Sequence, residues 1–428
     1  MTRELLDLID RPSDKDLSQC VHCGFCLQQC PTYLELGLEI DSPRGRIHLI
    51  RSLVDGRAEP TPSLVRHLDL CLQCRACETA CPSAVPFGRI MESGRAMLVQ
   101  QGRVPLAWRL RVFALRQLFP HPRRLALLFG LLRLYQRSGL QCLLRATRLL
   151  RLLPFGVAGA ESMLPHVPAH RFRMPPSRAG TRNVALLTGC VMPLLYARTH
   201  EATVRVLERH DIEVVAPPEQ RCCGALSLHA GDRRTARELA RRNVDAFLDA
   251  AVEAVVVNSA GCGSALKEYG ELLEHDADYA EKARRFSAMV RDITEFLAEV
   301  GIEPPQTPLP YRVTYQDSCH LVHAQRVRAA PRDLLRVIPD IELVELDAPD
   351  RCCGSAGVYS FAQRDMSLRL LDDKMRDIAA TGADVIATAN PGCMMQLEAG
   401  LRRAKLPGRV VHVVELLDEA YHAGDPPP

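Results

Sequence analysis

The stretch CVHCGFCLQQCP, residues 20–31, spaces four cysteines at intervals of three, three and four residues and ends in proline. The same rhythm returns as CLQCRACETACP at residues 71–82. This is the bacterial spacing for [4Fe–4S] clusters, in which three thiolates bind one cluster and the fourth reaches its neighbour. Zinc knuckles also contain CxxC pairs, but a repeated four-cysteine run that ends in proline favours iron and sulfide.

The two runs therefore predict two [4Fe–4S] clusters that exchange their fourth ligands, a one-electron relay. The spacer between the runs is expected to be helical after Pro43. Its arginines Arg44, Arg46 and Arg51 either lie near the clusters or form a solvated basic face. The expected ligands are Cys20, Cys23, Cys26 and Cys81 for the first cluster, and Cys71, Cys74, Cys77 and Cys30 for the second.

Length and composition indicate several domains in a reducing compartment. The chain has 428 residues, 17 of them cysteine, and a formal net charge of +3. Its start, MTRELLDLIDRPSDKD, lacks the apolar core of about 7–15 residues that a secretory signal needs. A cytoplasmic location is therefore expected, where cysteines serve as metal ligands more often than as disulfides. The small net charge gives no reason to expect nucleic-acid binding.

Residues 93–160 contain 12 arginines and neither Asp nor Glu. Leucine and phenylalanine alternate with arginine at helical spacing. The longest uncharged stretch before Arg151, LALLFGLL, is far shorter than the roughly 20 residues that span a bilayer. The pattern predicts amphipathic helices that either lie on an anionic membrane surface or cover the core or a partner subunit. Cys142, alone in this segment, is expected to be a buried apolar side chain.

The C-terminal half is an internal duplication. NVALLTGC at 183–190 matches YRVTYQDSC at 311–319, and VEAVVVNSAGC at 252–262 matches ADVIATANPGC at 383–393. Each copy also contains RCCG, at 221–224 and 351–354, and we call the copies CCG units. Short β-branched runs alternate with amphipathic segments, which predicts parallel βαβ units. Because ligand sites lie beyond the carboxyl ends of parallel strands, the cysteines that follow the strands should converge.

Metal ligation explains the CCG cysteines best. A disulfide between neighbours is strained, a catalytic thiol requires one cysteine and a base, and simple packing explains neither the glycine nor the repetition. Gly224 and Gly354 are expected to ease a sharp bend. One or two further iron–sulfur clusters are predicted, although one CCG unit with purely structural cysteines remains an alternative. The expected ligands are Cys190, Cys222, Cys223 and Cys262 in the first unit, and Cys319, Cys352, Cys353 and Cys393 in the second.

The predicted fold is multidomain, of α+β and α/β type. We expect an α-helical ferredoxin-like domain with two clusters at 1–100 and an Arg-rich amphipathic helical linker at 101–180. Two duplicated Rossmann-like α/β CCG domains should follow at 181–310 and 311–428. The chain contains neither a dinucleotide fingerprint nor a P-loop. No catalytic residue is therefore predicted on it, and flavin chemistry must be supplied by another protein.

The cysteine runs, SPRGRI at 42–47, LLTGCVM at 186–192 and the two CCG units resemble the iron–sulfur subunits of glycolate oxidase along the whole chain. They also resemble the corresponding subunits of anaerobic glycerol-3-phosphate dehydrogenase and lactate-utilisation systems, and the catalytic subunit of heterodisulfide reductase. The resemblance implies a hetero-oligomer with flavin-containing dehydrogenase subunits that oxidise glycolate to glyoxylate. This chain would relay electrons to a membrane quinone, held peripherally on the cytoplasmic face of the inner membrane.

The alternatives are the equivalent subunit of a lactate or glycerol-3-phosphate dehydrogenase, a heterodisulfide-reductase-like thiol enzyme, and a zinc-stabilised scaffold. One departure bears on the thiol enzyme. In heterodisulfide reductase each CCG unit ends in CxxC, and five cysteines hold a noncubane cluster. Here Ala265 and Gln396 occupy the last position. Each unit retains four thiols, which suit an ordinary [4Fe–4S] cluster, so disulfide chemistry is less expected.

Overall fold

The computed structural model describes residues 10–147, 149–152, 161 and 163–422. The N-terminal part is helical and carries both four-cysteine runs in loops beside short helices. The middle part is a succession of exposed helices. The N-terminal helices are Asp14–Ser18, Pro31–Leu36, Pro43–Val54, Pro62–Asp69, Ala76–Thr79 and Phe87–Gln100, with 3₁₀ turns at Leu27–Gln29 and Glu39–Asp41. The middle helices are Leu106–Leu118, Pro122–Arg137 and Leu140–Ala146, followed by a 3₁₀ turn at Leu149–Leu152.

Local sequence explains where the N-terminal helices begin. The Ser42 hydroxyl accepts a hydrogen bond from the Gly45 amide at 3.0 Å, and Pro43 occupies the first helical position. Both features stabilise a helix start, and they confirm that the spacer is helical from Pro43. In the first cysteine run, Cys30 precedes the helix that opens with Pro31. The proline that ends this run therefore turns the chain away from the cysteine loop.

The C-terminal half consists of two parallel four-stranded sheets with helices on both faces, which confirms the predicted fold class. The first sheet has the order β2-β1-β3-β4 and the second has the order β6-β5-β7-β8. The strands are β1 Arg182–Leu187, β2 Ile212–Val215, β3 Ala254–Val257, β4 Val290–Asp292, β5 Arg312–Tyr315, β6 Glu342–Leu343, β7 Val385–Thr388 and β8 Arg409–His412.

The first sheet is accompanied by the helices Met192–Leu195, Ala197–Arg209, Ala225–His229, Arg233–Asp249, Ala260–Lys267, Tyr269–Leu272, Ala280–Met289 and Ile293–Val300. The second is accompanied by a π-helix at His320–Ala324 and the helices Ala329–Arg336, Tyr359–Ala362, Arg364–Thr381, Pro391–Ala404 and Val413–His422. Central strands such as β3 are buried at every position, as expected for a sheet covered on both faces.

The strand order creates a switch point in each sheet. From β1 the chain continues outward to β2 and then crosses back to β3 on the other side, and β5, β6 and β7 repeat this path. Such reversals open a crevice beyond the carboxyl ends of the two central strands. Cys190 and Cys262 follow β1 and β3, and Cys319 and Cys393 follow β5 and β7. The duplicated cysteines therefore lie at the two switch points.

The two CCG units share one hydrophobic core, because four helices lie between their sheets. Helix Ala197–Arg209 of the first unit contacts Val413–His422 of the second, and Ile293–Val300 contacts Ala329–Arg336. A single apolar cluster joins Val184 and Val256 from the first sheet to Val313 and Val385 from the second. An ion pair of 2.5 Å between Arg205 and Asp418 closes its edge. We call these four helices the shared layer.

The N-terminal part packs against both CCG units. Toward the first unit, Arg95 donates to the His229 carbonyl at 2.8 Å, and Trp108 of the adjoining middle helix donates its indole N–H to the Ala230 carbonyl at 3.0 Å. Toward the second unit, the Tyr359 hydroxyl donates to the Leu70 carbonyl at 3.0 Å. These buried contacts bring the four-cysteine runs close to the switch points of the sheets.

Candidate metal centres

The first cysteine site is a small cavity of about 30 Å³ beside the first run. All four cysteines expected at the first cluster line it, and Cys77 of the other run joins them. Burial raises the pKa of the Cys26 thiol to about 11, assisted by its neighbours Cys20 and Cys30. Arg44 borders the cavity and donates to the His22 carbonyl at 2.8 Å. The cavity is lined by Cys20, Cys23, Cys26, Cys77 and Cys81.

The second cysteine site, a cavity of about 20 Å³, is lined by Cys30, Cys71, Cys74 and Cys77. These are the four cysteines expected at the second cluster. Burial raises the pKa values of Cys74 and Cys77 well above that of a free thiol, and neighbouring thiolates add to the effect. Metal binding at such a site must release the thiol protons. Cys77 and Phe87 line both cavities, so the two sites are direct neighbours.

A buried charge network lies beside Cys30. Arg46 is only 1% exposed, and its Nη1 lies 3.9 Å from the Cys30 sulfur. The guanidinium also donates to the His67 carbonyl at 2.9 Å and to the Thr32 hydroxyl at 3.0 Å. Asp41 accepts from Arg46 at 3.4 Å and lies 2.9 Å from the His67 ring nitrogen. A positive charge is thus fixed next to a cysteine of the second site.

The eight cysteines of the two CCG units line one cavity of about 170 Å³ where the carboxyl ends of the two sheets meet. We call it the shared cavity. Its walls are otherwise mainly apolar, with His229, His320 and Asn390 among the polar residues. The tips of the two units are held together by backbone contact, since the Ala260 amide donates to the Ala389 carbonyl at 3.1 Å. The cysteines in the cavity are Cys190, Cys222, Cys223, Cys262, Cys319, Cys352, Cys353 and Cys393.

The thiols of the first CCG unit are in mutual contact. The sulfurs of Cys223 and Cys262 are 3.2 Å apart. The hydrogen bond between Cys190 and Cys222 raises the pKa of Cys190 and lowers that of Cys222. The Tyr269 hydroxyl donates to the Cys223 carbonyl at 2.7 Å and fixes the backbone behind the pair.

The second CCG unit repeats this arrangement. Cys319 is hydrogen-bonded to Cys352, and Cys353 to Cys393. The hydrogen bond with Cys352 raises the pKa of Cys353 to about 12. The Asn390 amide donates to the Cys393 sulfur at 3.4 Å. Both units thus present four thiols as a set, a soft donor group that suits iron–sulfur clusters.

The glycines after the cysteine pairs permit the bend that turns both side chains inward. Gly224 and Gly354 have φ values of +79° and +83°, a region that other residues enter only with strain. A Cβ on Gly354 would lie 2.5 Å from the Ser367 carbonyl oxygen, and one on Gly224 would lie 3.2 Å from the Ala236 Cα. Both positions favour glycine for their backbone conformation, as the sequence predicts, and Gly354 also favours it for space.

The second site and the shared cavity are adjacent. Leu72 lines both cavities. Cys74 packs in one apolar cluster with Cys352, and charge on Cys352 contributes to the raised pKa of Cys74. The cysteine sites therefore form a row: the first site, the second site, and then the shared cavity of the two CCG units.

Several residues beside these sites carry no sequence signal of their own. Lys374 is 2% exposed; burial lowers its pKa, and the charge of Asp377, followed by those of Cys353 and Cys352, opposes this shift. Arg75 pairs with Glu268 across the interface with the first CCG unit. Burial raises the pKa of Glu268 to about 7. Their partners are distant in sequence, so only the fold reveals them.

One expectation about the middle of the chain is wrong. Cys142 is exposed, so the prediction of a buried apolar side chain is wrong. The short helix that carries it, Leu140–Ala146, buries no residue. Among the three arginines of the N-terminal spacer, Arg51 pairs with Asp14 at 3.2 Å and lies away from the cysteine cavities. No helix in the described ranges is long and apolar enough to cross a bilayer.

The exposed side of the middle helices is both apolar and basic. Leu106, Leu110 and Phe113 form an exposed stripe at helical spacing. Some arginines turn inward, since Arg111 pairs with Asp69 at 2.5 Å and Arg116 with Asp232 at 2.9 Å. The middle helices therefore both pack against the rest of the chain and expose apolar and basic side chains to solvent.

Comparisons with known proteins agree with this arrangement. The "4Fe-4S dicluster domain" family matches residues 16–85, the "Cysteine-rich domain" family matches 184–267 and 313–398, and the family "Glycolate oxidase iron-sulfur subunit, linker region" matches 108–164. A "Probable glycolate oxidase iron-sulfur subunit" of Bacillus subtilis is 42% identical over 96% of this chain and 95% of its own. The "Glycolate oxidase iron-sulfur subunit" of Escherichia coli is 36% identical over 95% of both chains.

Two more distant likenesses are informative in different ways. "Lactate utilization protein A" of Geobacillus thermodenitrificans is 34% identical over 55% of this chain and 98% of its own. A crystal structure of a hypothetical protein from Helicobacter pylori superposes with a TM-score of 0.58, covering 99% of this chain and 77% of that one at 11% identity. The second likeness shows a related fold.

Proposed function

The chain belongs to the family of glycolate oxidase iron–sulfur subunits, and from this premise we propose that it accepts electrons from a flavin-containing partner subunit that oxidises glycolate to glyoxylate. It passes them toward a membrane quinone. The observation that carries this proposal is the row of cysteine sites from the surface loop of the first run to the shared cavity. A relay needs such adjacent sites, whereas a zinc scaffold does not.

The donor sets fit iron–sulfur clusters. We assign one cluster to each N-terminal site, within the domain division at residues 100, 180 and 310 expected from the sequence. An iron–sulfur cluster, when bound, takes up and releases one electron at a time. The first site would use Cys20, Cys23, Cys26 and Cys81, and the second would use Cys71, Cys74, Cys77 and Cys30.

The CCG units are proposed to hold one or two further clusters with four thiols each. At the positions where a fifth cysteine is missing, Ala265 is buried, and Gln396 donates to the Ser367 hydroxyl at 3.0 Å. Neither side chain supplies a thiol, which argues against heterodisulfide-reductase-like disulfide chemistry. Lys374 places a buried cation near the second set of thiols.

The protein's own residues set the charge along the row. Arg46 beside the second site and Lys374 beside the second CCG unit favour additional negative charge at those positions, because Coulomb interactions are strong in a buried environment. The first CCG unit has no lysine at the corresponding place; Asn243 occupies it and donates to the Cys222 carbonyl at 3.2 Å. This asymmetry would favour electron residence at the second unit, next to Cys74.

We also propose that the middle helices hold the chain peripherally on a membrane. Their exposed leucines and phenylalanines, together with arginines and no acidic residue between 93 and 160, suit an anionic lipid surface, where each nearby basic residue contributes about 1 kcal/mol. Binding to phosphatidylglycerol vesicles, with phosphatidylcholine vesicles as comparison, tests this. Leu110→Ser with Phe113→Ser should weaken binding, whereas Phe361→Ser, an exposed apolar residue outside the segment, should not. Equal binding by all variants would contradict the proposal.

The test of function is anaerobic co-purification with the flavin-containing subunits produced alongside the chain. Glycolate should reduce the iron–sulfur absorbance of the complex, and the chain alone should not respond. About eight irons per chain would mean that only the N-terminal sites are filled, since each cluster holds four, and more would place metal in the CCG units. A response to lactate or glycerol 3-phosphate alone would replace glycolate as donor; the lactate-utilisation relatives make lactate the second candidate. A colourless zinc protein would overturn the relay.

A further inference from the structure

Large apolar side chains are exposed mainly in two regions of the described chain. Sixteen such residues are exposed, of which five lie between positions 21 and 40 and ten between 106 and 149. We call the first group, Val21, Phe25, Leu34, Leu38 and Ile40, the loop face. The second group lies on the middle helices and is the surface considered above for lipid. Contiguous exposed apolar surface marks an interaction site, so the loop face requires its own explanation.

The loop face surrounds the one motif cysteine that is exposed. Among the sixteen cysteines of the four motif sets, all within the described ranges, only Cys23 is exposed. Val21 and Phe25 flank it in the same loop and are 67% and 66% exposed. In contrast, the second site and the CCG pairs are buried at most of their cysteines. A redox group on another protein can therefore approach this chain most closely at the first site.

The two parts of the loop face are tied together. Arg44 donates to the His22 carbonyl at 2.8 Å and to Glu39 at 2.6 Å. It thereby joins the loop of the first run to the segment that carries Leu38 and Ile40. Gly24, with a φ of +91°, lets the loop pass close to this guanidinium, since a Cβ there would lie 3.0 Å from Arg44 Nη1. The cysteine loop and the segment with Leu38 and Ile40 are thus held together as one surface.

We propose that the loop face is the docking surface of the flavin-containing subunit, and that electrons enter the chain here. This inference rests on the proposed function and locates the entry of electrons at the loop face. Two successive one-electron transfers reoxidise the partner's two-electron-reduced flavin, its two protons leave to solvent, and each electron enters through the first site. An aromatic and an aliphatic anchor at the centre of a patch are typical of interface hot spots.

Charge separates this face from the lipid-facing helices. Beside the loop face, Arg44 pairs with Glu39 at 2.6 Å and contacts the His22 carbonyl, a mixed set that anionic lipid does not attract. The middle helices carry arginine without acid. A protein partner therefore suits the first face and lipid suits the second, which leaves the two surfaces free to be occupied together.

The test uses the full chain with its flavin-containing partner. Val21→Ser with Phe25→Ser should weaken binding of the flavin subunit at least tenfold and slow single-turnover reduction of the chain at limiting partner concentration. Reduction by dithionite and the iron content should stay unchanged. Leu34→Ser with Leu38→Ser, on the same face but outside the cysteine loop, should weaken binding severalfold, which covers the case in which the first variant disturbs cluster binding.

The matched control is Leu110→Ser with Phe113→Ser, whose exposure is similar and which should change flavin-subunit binding less than twofold. Unchanged binding by both loop-face variants would overturn the inference. The inference would also be overturned if the loop-face variants lost binding to lipid vesicles but kept binding to the flavin subunit. The same holds if the native chain were a dimer that these substitutions dissociate. If the native chain binds no flavin subunit at all, the proposed function fails with it. If the native complex forms but responds only to lactate, the substrate changes and the docking surface stands.

Discussion

Replacing Arg46 by methionine should make the second N-terminal site harder to reduce. Its Nη1 lies 3.9 Å from the Cys30 sulfur, with the side chain 1% exposed. At an effective dielectric constant of about 20, two unit charges at this distance interact by about 4 kcal/mol. For a one-electron couple about 1.4 kcal/mol corresponds to roughly 59 mV, which gives a ceiling of about 170 mV. Because the added electron is shared over a whole cluster, we expect a shift of roughly 50–100 mV to lower potential.

Arg51→Met is the matched control for this prediction. Arg51 lies on the same helix, Pro43–Val54, but pairs with Asp14 at 3.2 Å near the surface. The same loss of charge there should shift the potential much less, because solvent screens exposed charges. The assay is a redox titration followed by electron paramagnetic resonance, with iron content measured on each variant.

The Arg46 substitution also leaves Asp41 buried without its guanidinium, and breaking such a pair costs about 3–5 kcal/mol. The double variant Arg46→Met with Asp41→Asn removes both charges and should recover part of the stability. Equal shifts for Arg46→Met and Arg51→Met, or a shift to higher potential in a variant with full iron content, would refute the reasoning.

Three further outcomes are expected. Gly354→Ala should lower the melting temperature and the iron content, because left-handed strain of about 1–2 kcal/mol adds to a clash with Ser367; Gly37→Ala, left-handed in open space, should show the strain alone. Cys142→Ser should leave iron and sulfide per chain unchanged, and a loss of iron would give this exposed cysteine a role in binding. Burial lowers the pKa of His200 from 6.5 to about 4, so the unfolded chain binds more protons in that window, and acidification from pH 6.5 to 4 should remove about 3 kcal/mol of stability. In denaturant unfolding measured across this pH range, His200→Gln should lack this loss of stability. If the free energy of unfolding depends on pH identically in the variant and the native chain, His200 makes no such contribution.

Two buried carboxyl groups change the stability with pH in the opposite direction from His200, so the native chain must be compared with the His200→Gln variant. Burial raises the pKa of Glu398 to about 7 and that of Asp292 to about 6. Their folded forms hold protons more tightly than the unfolded chain, so they gain stability as pH falls through the same window. The total slope therefore mixes both signs, and only the difference between native and His200→Gln curves isolates the histidine.

The sequence predicts the grouping of cysteines well because motif spacing encodes it locally. Three thiols within seven residues necessarily surround one point, and the alternation of strands and helices places each duplicated cysteine at a strand end. The shared cavity could not be predicted from the sequence, because it depends on how the two sheets pack against each other through the shared layer. No pattern within either copy specifies that its switch point faces the other one.

The three spacer arginines show the same limit at the scale of one helix. Arg46 lies one turn before the fully buried Ile50, so helical spacing already places it toward the apolar face. Arg51, five residues further on, faces another direction. Hydrophobic spacing could thus have distinguished the buried Arg46 from the more exposed Arg51. The residues that make burial of Arg46 tolerable, Asp41 and His67, lie on other elements and are brought to it only by folding.

The shared layer has a consequence for how the protein is made. Helix Ala197–Arg209 packs on Val413–His422, the last helix described. The first CCG unit is complete by about residue 310, and roughly 100 further residues must be synthesised before Val413, which takes about 5–20 seconds at ~5–20 residues per second. Throughout that interval the first CCG unit has strands and thiols but an uncovered apolar helix face. Its four cysteines reach their final environment only after helix Val413–His422 has been made and packed, so cluster insertion there depends on that helix.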